Sequence, residues 1–146
     1  MQLEVKIDKS YPEPRIIILT ASTTDDVNII LNKLSDNTPQ IISGYKDQKL
    51  EVIEQMDLIR IYASAGKVFA VTKQGEYTLR YRLYEIEQRL NSCQFVRISN
   101  SEIINLKKVN NFDLSITGTI CVKLTDGATT YVSRRYVPKI KKILGV

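Results

Sequence analysis

Short alternating runs separated by turn residues occupy the second half of the chain, and they predict a fold built mainly of small antiparallel sheets. LIRIYA over 58–63 alternates strictly between two faces, and KVFAVT over 67–72 follows the Ala65-Gly66 turn. Two such runs joined by a short glycine-containing turn predict a β-hairpin. Asp126-Gly127, a strong hairpin signal, precedes the run TTYV. Further strands are predicted over 50–53, 95–99, 106–109, 114–116 and 119–124.

Three segments have the residue spacing of helices. Apolar residues in 24–35 recur at i, i+3, i+4 and i+7, and two aspartates near the start suit the positive end of a helix dipole. A second helix is predicted over 78–90, where four leucine and isoleucine side chains share one face. The last segment, 137–145, is short. Pro138 suits its first turn, and Gly145 suits its end.

The first 43 residues are predicted to form a separate small α/β unit. LEVKI over 3–7 alternates, and RIIILT over 15–20 is a continuous apolar run, so both predict strands. The first helix follows, and extended structure resumes at QIISGY. We therefore expect a strand–strand–helix–strand unit at 1–43, regulatory or dimerising in role, and a β domain at 44–146.

The amino-acid composition excludes several kinds of catalytic site. A chain of 146 residues without histidine has no Ser-His-Asp or Cys-His catalytic group and no histidine-ligated zinc. Cys93 and Cys121 lie 28 positions apart, and two thiols do not make a structural zinc site. We therefore expect no enzymatic activity, no cofactor, no metal and no small-molecule substrate. The N-terminus has no signal-peptide pattern, and no apolar run approaches the ~20 residues of a membrane helix, so the expected location is cytoplasmic.

Charge is distributed unevenly along the chain. Residues 1–57 contain 6 Lys and Arg against 10 Asp and Glu, a net charge of −4. Residues 58–146 contain 15 Lys and Arg against 6 Asp and Glu, a net charge of +9. A basic segment beside an acidic one indicates a polyanion-binding part and a part with another task. A solvated basic surface with no ligand is the alternative interpretation.

Four stretches of the second half together resemble a known family. They are Ile59–Ala63 followed by Gly66-Lys67-Val68, the helix ending at Leu90, FVRISNSEIINL over 95–106, and Asp126-Gly127 followed by YVSRRY over 131–136. In this order and spacing they are similar to the LytTR family of bacterial DNA-binding domains. The resemblance covers roughly residues 44–146, and the whole chain is similar to standalone members that lack a receiver domain.

The resemblance implies an elongated β-β-β fold of three small sheets with a helix packed at the side. It also implies that loops, rather than a recognition helix, enter successive major grooves of DNA. Asn100 and Arg135 match the two main base-contacting positions. An asparagine amide suits an adenine edge, and an arginine fork suits guanine O6 and N7 or, bidentately, phosphate. A turn-forming role is the alternative for Asn100.

Other polar residues flank these two positions. Arg97 and Ser101 are expected to hold phosphate or to position the loop around Asn100. Arg134 is adjacent to Arg135 and points elsewhere, so one of the two is expected to contact only the DNA backbone. Ser133 either caps the final helix or contacts phosphate.

Three lysines complete the predicted interface. Lys139 and Lys142 lie on the final helix, where they attract phosphate at a distance or form a plain solvated surface. Some relatives carry a longer loop with a histidine after the strand at 58–63. This chain has only Ser64-Ala65-Gly66 there, so Lys67 is the candidate, as a phosphate contact.

These features together predict a sequence-specific double-stranded-DNA-binding transcription regulator. The alternative is a non-enzymatic protein-interaction or RNA-binding β-module. Single-strand readers display aromatic side chains on a sheet, and here the aromatic residues are scattered. The expected partner is double-stranded DNA, with two copies of the protein on a repeated site, and the chain is a candidate homodimer. Standalone family members are often paired with a small inhibitory membrane protein, which the resemblance implies as a further partner.

Overall fold

The computed structural model describes residues 1–35 and 41–146, and the chain divides into two units, 1–39 and 40–146. In the first unit, helix α1 spans Asp25–Ser35, in agreement with the predicted spacing. The hydroxyl of the preceding threonine accepts a hydrogen bond from the backbone N–H of Val27 at 3.4 Å. This contact satisfies one of the free N–H groups at the start of the helix.

The strands predicted over 3–7 and 15–20 are not formed. Within the described part of the first unit, the residues before α1 contain neither helix nor strand. A strand is stable only where a neighbour pairs with its backbone, and no described segment pairs with either run. The strand predicted at QIISGY does form, but it belongs to the sheet of the second unit. The division between the units therefore precedes residue 43.

The second unit is mainly β, as the sequence predicts, and all neighbouring strands are antiparallel. Seven strands form one sheet in the order β2-β1-β5-β4-β3-β7-β6, and three form a second sheet in the order β10-β9-β8. The strands are β1 Ile42–Lys46, β2 Lys49–Ile53, β3 Leu58–Ser64, β4 Lys67–Thr72, β5 Gly75–Leu79, β6 Phe95–Ser99, β7 Glu102–Asn105, β8 Val109–Asp113, β9 Ile120–Leu124 and β10 Thr129–Val132. The helices are α2 Leu83–Arg89 and α3 Val137–Leu144. None of the helices described in this chain is long and apolar enough to cross a membrane.

The number of sheets differs from the three that the resemblance implies. Strand β1 joins β5 through the residue pair Tyr45 and Thr78. This pair connects the β1–β2 hairpin to the other five strands, so two expected sheets become one sheet of seven strands.

One predicted helix is shorter than expected, and one predicted strand is not formed. The helix predicted over 78–90 begins only at Leu83, because Thr78 and Leu79 pair with β4 as part of β5. The segment 114–116 connects β8 to β9 without forming a strand.

Two hydrophobic cores lie on opposite faces of the larger sheet. Ile103 of β7 faces the core that contains Ile86 of α2, and Ile104 faces the core that contains Val122 of β9 and Ile140 of α3. Because successive side chains of a strand point to opposite faces, β7 is buried on both sides. This packing fixes the ends of β3, β6 and β10, from which the candidate site is built.

Candidate nucleic-acid interface

The sheet topology brings two hairpin loops to the same end of the larger sheet. Strand β3 ends at Ser64, and β7 begins at Glu102, directly opposite Tyr62 of β3. The turns at 64–67 and 99–102 therefore project from the same end of the sheet. The backbone N–H of Ala63 donates a hydrogen bond to the carbonyl of Ser101 at 2.8 Å, which ties the two turns together.

A third loop, the 3₁₀ turn after β10, is hydrogen-bonded to the same end of the sheet. The N–H of Ser133 donates to the carbonyl of Ile98 in β6 at 2.9 Å. The hydroxyl of Tyr136 donates to Oδ1 of Asn100 at 3.2 Å. We call the surface made by residues 64–67, 99–102 and 133–136 the loop surface. The structure thus brings together the two segments that carry Asn100 and Arg135, although 35 positions separate these residues in the sequence.

Asn100 is exposed, and its amide is held in one orientation. Its Oδ1 accepts the Tyr136 hydroxyl, while Nδ2 donates to no residue that the structure describes. The amide therefore keeps free donors and one free acceptor lone pair for a ligand. Sequence reasoning missed Tyr136, although this residue ends the YVSRRY block and is the aromatic hydroxyl nearest in sequence to Arg135.

Arg97 is fully engaged by its own protein. Its guanidinium donates to the carbonyl of Ser99 at 2.8 Å, to the carbonyl of Asn100 at 2.6 Å and to the carboxylate of Glu87 at 2.6 Å. The side chain is only 16% exposed. Of the two roles predicted for Arg97, these contacts favour positioning of the loop over binding of phosphate.

The serines of the loop surface act mainly through the backbone. Ser101 N–H donates to Oγ of Ser99 at 3.2 Å, and the Ser101 side chain is exposed. Ser133 precedes the 3₁₀ turn Arg134–Tyr136, but its side chain makes no capping hydrogen bond. Of its two predicted roles, helix capping is therefore not observed.

The two arginines of the 3₁₀ turn are both exposed, but their surroundings differ. Arg134 lies against the β8–β9 loop, where a Cβ added at Gly118 would come within 3.3 Å of its Nε. Arg135 forms no hydrogen bond or ion pair with any described residue. Its guanidinium fork is therefore open to a ligand.

The three predicted lysines are exposed. Lys67 follows a two-residue turn in which Ala65 and Gly66 both have positive φ, 51° and 77°, the geometry that matches the twist of a hairpin. Lys139 and Lys142 are three positions apart on α3, so they lie on one side of the helix. The helix itself is anchored by the fully buried Ile140.

The loop surface contains a single acidic residue, Glu102, and this residue is buried. Its carboxylate accepts hydrogen bonds from Arg60 Nη1 at 3.1 Å and from Thr130 Oγ1 at 2.5 Å. The Arg60 guanidinium also lies over the ring of Tyr62, 4.6 Å from its centroid. The acid is therefore neutralised inside the protein, and the loop surface exposes cations but no acidic side chain to solvent.

The position of Asn105 in the run IINL predicts a buried structural amide rather than a DNA ligand, and the structure confirms its burial. The side chain is fully buried, and Nδ2 donates to the carbonyl of Leu58 at 2.7 Å. Oδ1 accepts from the N–H of Lys107 at 3.0 Å. It joins β7 to the start of β3 and is not available to a ligand.

Comparison with known proteins identifies similar sequences and a similar fold. Residues 48–145 match the family model of the LytTr DNA-binding domain. HTH-type transcriptional regulators of Staphylococcus aureus, from strain NCTC 8325 and from bovine strain RF122, are each 33% identical over 147 residues, which cover 100% of this chain and 99% of theirs. A solved LytTr DNA-binding domain from Bacillus cereus superimposes with a TM-score of 0.70 at 20% identity, covering 73% of this chain and 97% of the other. Among the described residues, strands separate all three α-helices, so no helix-turn-helix is found there.

Proposed function

Because the chain belongs to the LytTR family of DNA-binding domains, we propose that it is a cytoplasmic transcriptional regulator that binds double-stranded DNA sequence-specifically. The loop surface enters the major groove, and two copies occupy a repeated site. The main support is the hydrogen bond from Tyr136 to Asn100. It places an oriented amide beside the turn that carries the unpaired Arg135, on a surface whose one acid is buried.

Each side chain of the interface has a proposed task. Asn100 pairs with an adenine edge, since its amide retains both donors and an acceptor. Arg135 pairs with guanine O6 and N7, or bidentately with phosphate. Arg97 positions the loop around Asn100.

The remaining residues set affinity rather than sequence preference. The cations neutralise phosphates; they are Arg134, Lys67, Lys139 and Lys142. Ser101 and Ser133, which belong to the loop surface, add neutral hydrogen bonds to the DNA backbone. Contacts of this kind fix the position of a protein on the duplex without reading bases.

Salt dependence tests whether the loop surface binds the DNA backbone. A duplex selected from a random library is titrated with the full-length protein over a salt series, alongside its separate single strands. The slope of log K against log salt is expected to be about −0.9 per neutralised phosphate. Preference for single strands, or a flat salt response, would contradict the proposal and favour an RNA-binding or protein-interaction module.

A matched pair of lysine variants locates the interface. Lys67 begins β4 on the loop surface, and Lys73 follows the other end of the same strand. Lys67→Ala is expected to reduce the magnitude of the salt slope by about 1, while Lys73→Ala leaves it unchanged. Equal slopes for the two variants would place the DNA elsewhere.

A further inference from the structure

The first residues of the chain form an alternating segment with no pairing partner in the described structure. Leu3, Val5 and Ile7 are exposed by 95%, 79% and 95%. Glu4 and Lys6 lie between them, so apolar and charged side chains would occupy opposite faces of an extended segment. This is the pattern of a half-buried strand, yet the segment is not part of any sheet within the described residues.

We propose that residues 2–8 pair antiparallel with residues 2–8 of a second copy of this chain, about a two-fold axis at Val5. In this arrangement residue i of one chain lies opposite residue 10 − i of the other. Leu3 then lies opposite Ile7, and Val5 opposite Val5, so one face of the ribbon is entirely apolar. On the other face Glu4 lies opposite Lys6, and the two-fold axis repeats this ion pair.

The charges select this register over its neighbours. Centring the pairing at residue 4 places Glu4 opposite Glu4, and centring it at residue 6 places Lys6 opposite Lys6. Parallel, in-register pairing opposes like charges at both positions. A slip by one residue sets Glu4 opposite Ile7 and moves the apolar side chains to the wrong face. Like charges directly opposite each other destabilise a strand pair. Of the registers compared, only the one centred at Val5 opposes unlike charges on one face and apolar side chains on the other over residues 3–7.

Within a single chain the same two charges have only a weak contact. Lys6 Nζ and Glu4 Oε1 are 3.9 Å apart, with side chains exposed by 83% and 77%. An ion pair of this kind contributes little, and it leaves the apolar side chains and the backbone of the segment in water. Pairing with a second copy covers both.

The rest of the first unit supplies further apolar surface for the dimer. A two-stranded ribbon alone is marginal in water. Ile17 and Leu19 are exposed by 64% and 92% and are available to cover the apolar face of the ribbon. The dimer would tether two copies of the second unit, which raises the effective concentration of one on DNA once the other is bound. The pairing itself does not depend on DNA, so it can be tested separately from the proposed function.

Charge variants of the full-length chain test the pairing. Sedimentation velocity gives the dimer dissociation constant of the wild type, Glu4→Lys and Lys6→Glu. Each variant replaces two attractive cross-strand pairs by repulsive ones, so dimerisation is expected to weaken at least about tenfold. Glu13→Lys makes the same charge change outside the paired segment and is expected to keep the wild-type constant.

Mixing the two variants distinguishes pairing between chains from a contact within one chain. One chain then carries lysine at both positions and the other carries glutamate at both, so every cross-strand pair is attractive. Native mass spectrometry with one isotope-labelled chain is expected to show the mixed dimer at wild-type strength. A wild type that is monomeric at about 100 µM, a Glu4→Lys variant equal to Glu13→Lys, or a mixture that remains monomeric would each overturn the proposal.

Discussion

Replacing Arg97 by lysine separates loop positioning from phosphate binding. Lysine keeps the positive charge but loses the planar fork. The arginine fork reaches the carbonyls of Ser99 and Asn100 and the carboxylate of Glu87 at 2.6–2.8 Å, and a single ammonium group does not reach all three. If Arg97 only attracted phosphate, the lysine variant would bind DNA almost as well as the wild type.

The geometry sets the expected size of the effect. Hydrogen bonds that involve a charged group contribute about 1.5–3 kcal/mol each, and the lysine is expected to lose the two bonds to backbone carbonyls. Because the 99–102 loop is solvent-accessible, water replaces part of these bonds, and we expect a net loss of about 1–2 kcal/mol. The lost bonds no longer hold the loop that orients the Asn100 amide. If the same free energy is lost from binding, affinity for the cognate duplex falls by about 5- to 30-fold.

Two measurements check this prediction. Urea denaturation gives the free energy of unfolding, and fluorescence anisotropy gives the dissociation constants for cognate and random duplexes. Arg97→Lys is expected to weaken cognate binding and to leave random binding nearly unchanged, since the charge is retained. Glu87→Gln, which removes only a partly exposed ion pair, is the control and is expected to cost less than about 1 kcal/mol. A lysine variant that keeps the full cognate-to-random ratio would refute the positioning role.

Two further predictions concern the framework of the second unit. Residues 41–146 alone are expected to keep the wild-type affinity for a duplex that carries one copy of the site, where tethering of a second copy plays no part. Residues 44–146 are expected to lose about 2–4 kcal/mol of unfolding free energy, because the buried Ile42 is removed. Urea denaturation and anisotropy of both fragments check this, and equal stability would contradict it. Asn105→Ala is expected to cost about 2–3 kcal/mol, because it leaves the carbonyl of Leu58 buried without its donor. Its cognate-to-random ratio should be unchanged, and a lowered ratio in a stable variant would instead indicate contact with DNA.

The parts of the fold that depend on local sequence were predictable. The β3–β4 hairpin follows from strict alternation on both sides of Ala65-Gly66, and α3 follows from Pro138 at its start and Gly145 at its end. Gly145 has a φ of 76°, the left-handed geometry that ends many helices. The structural role of Asn105 also followed from its place in an apolar run.

The errors arose where a distant partner decides the structure. Residues 3–7 have a strand pattern but no partner among the described residues. Thr78 and Leu79 were predicted to begin a helix but pair with β4 instead. Burial of Glu102 depends on Arg60 and Thr130, which are 42 and 28 positions away. Local sequence patterns do not predict contacts between residues that lie so far apart in the chain.

The sequence selects the candidate residues of the site, whose contacts with DNA stay predictions, but it did not predict the contacts within the site. The motif resemblance selected Asn100 and Arg135, and the topology places their loops together. The hydrogen bond from Tyr136 and the three bonds of Arg97 required the folded chain, because they join segments that lie apart in sequence or use backbone carbonyls.

The ratio of cognate to random affinity is the most direct test of base reading by the loop surface. Asn100→Ala and Arg135→Ala are each expected to cost about 1–3 kcal/mol on the cognate duplex and much less on random DNA, which lowers the ratio. Lys139→Ala and Lys142→Ala are expected to weaken both duplexes about equally and to preserve it. Unfolding midpoints confirm that each variant is folded. If folded Asn100→Ala and Arg135→Ala proteins lose cognate and random affinity by the same factor, neither residue reads a base, and the central claim is wrong.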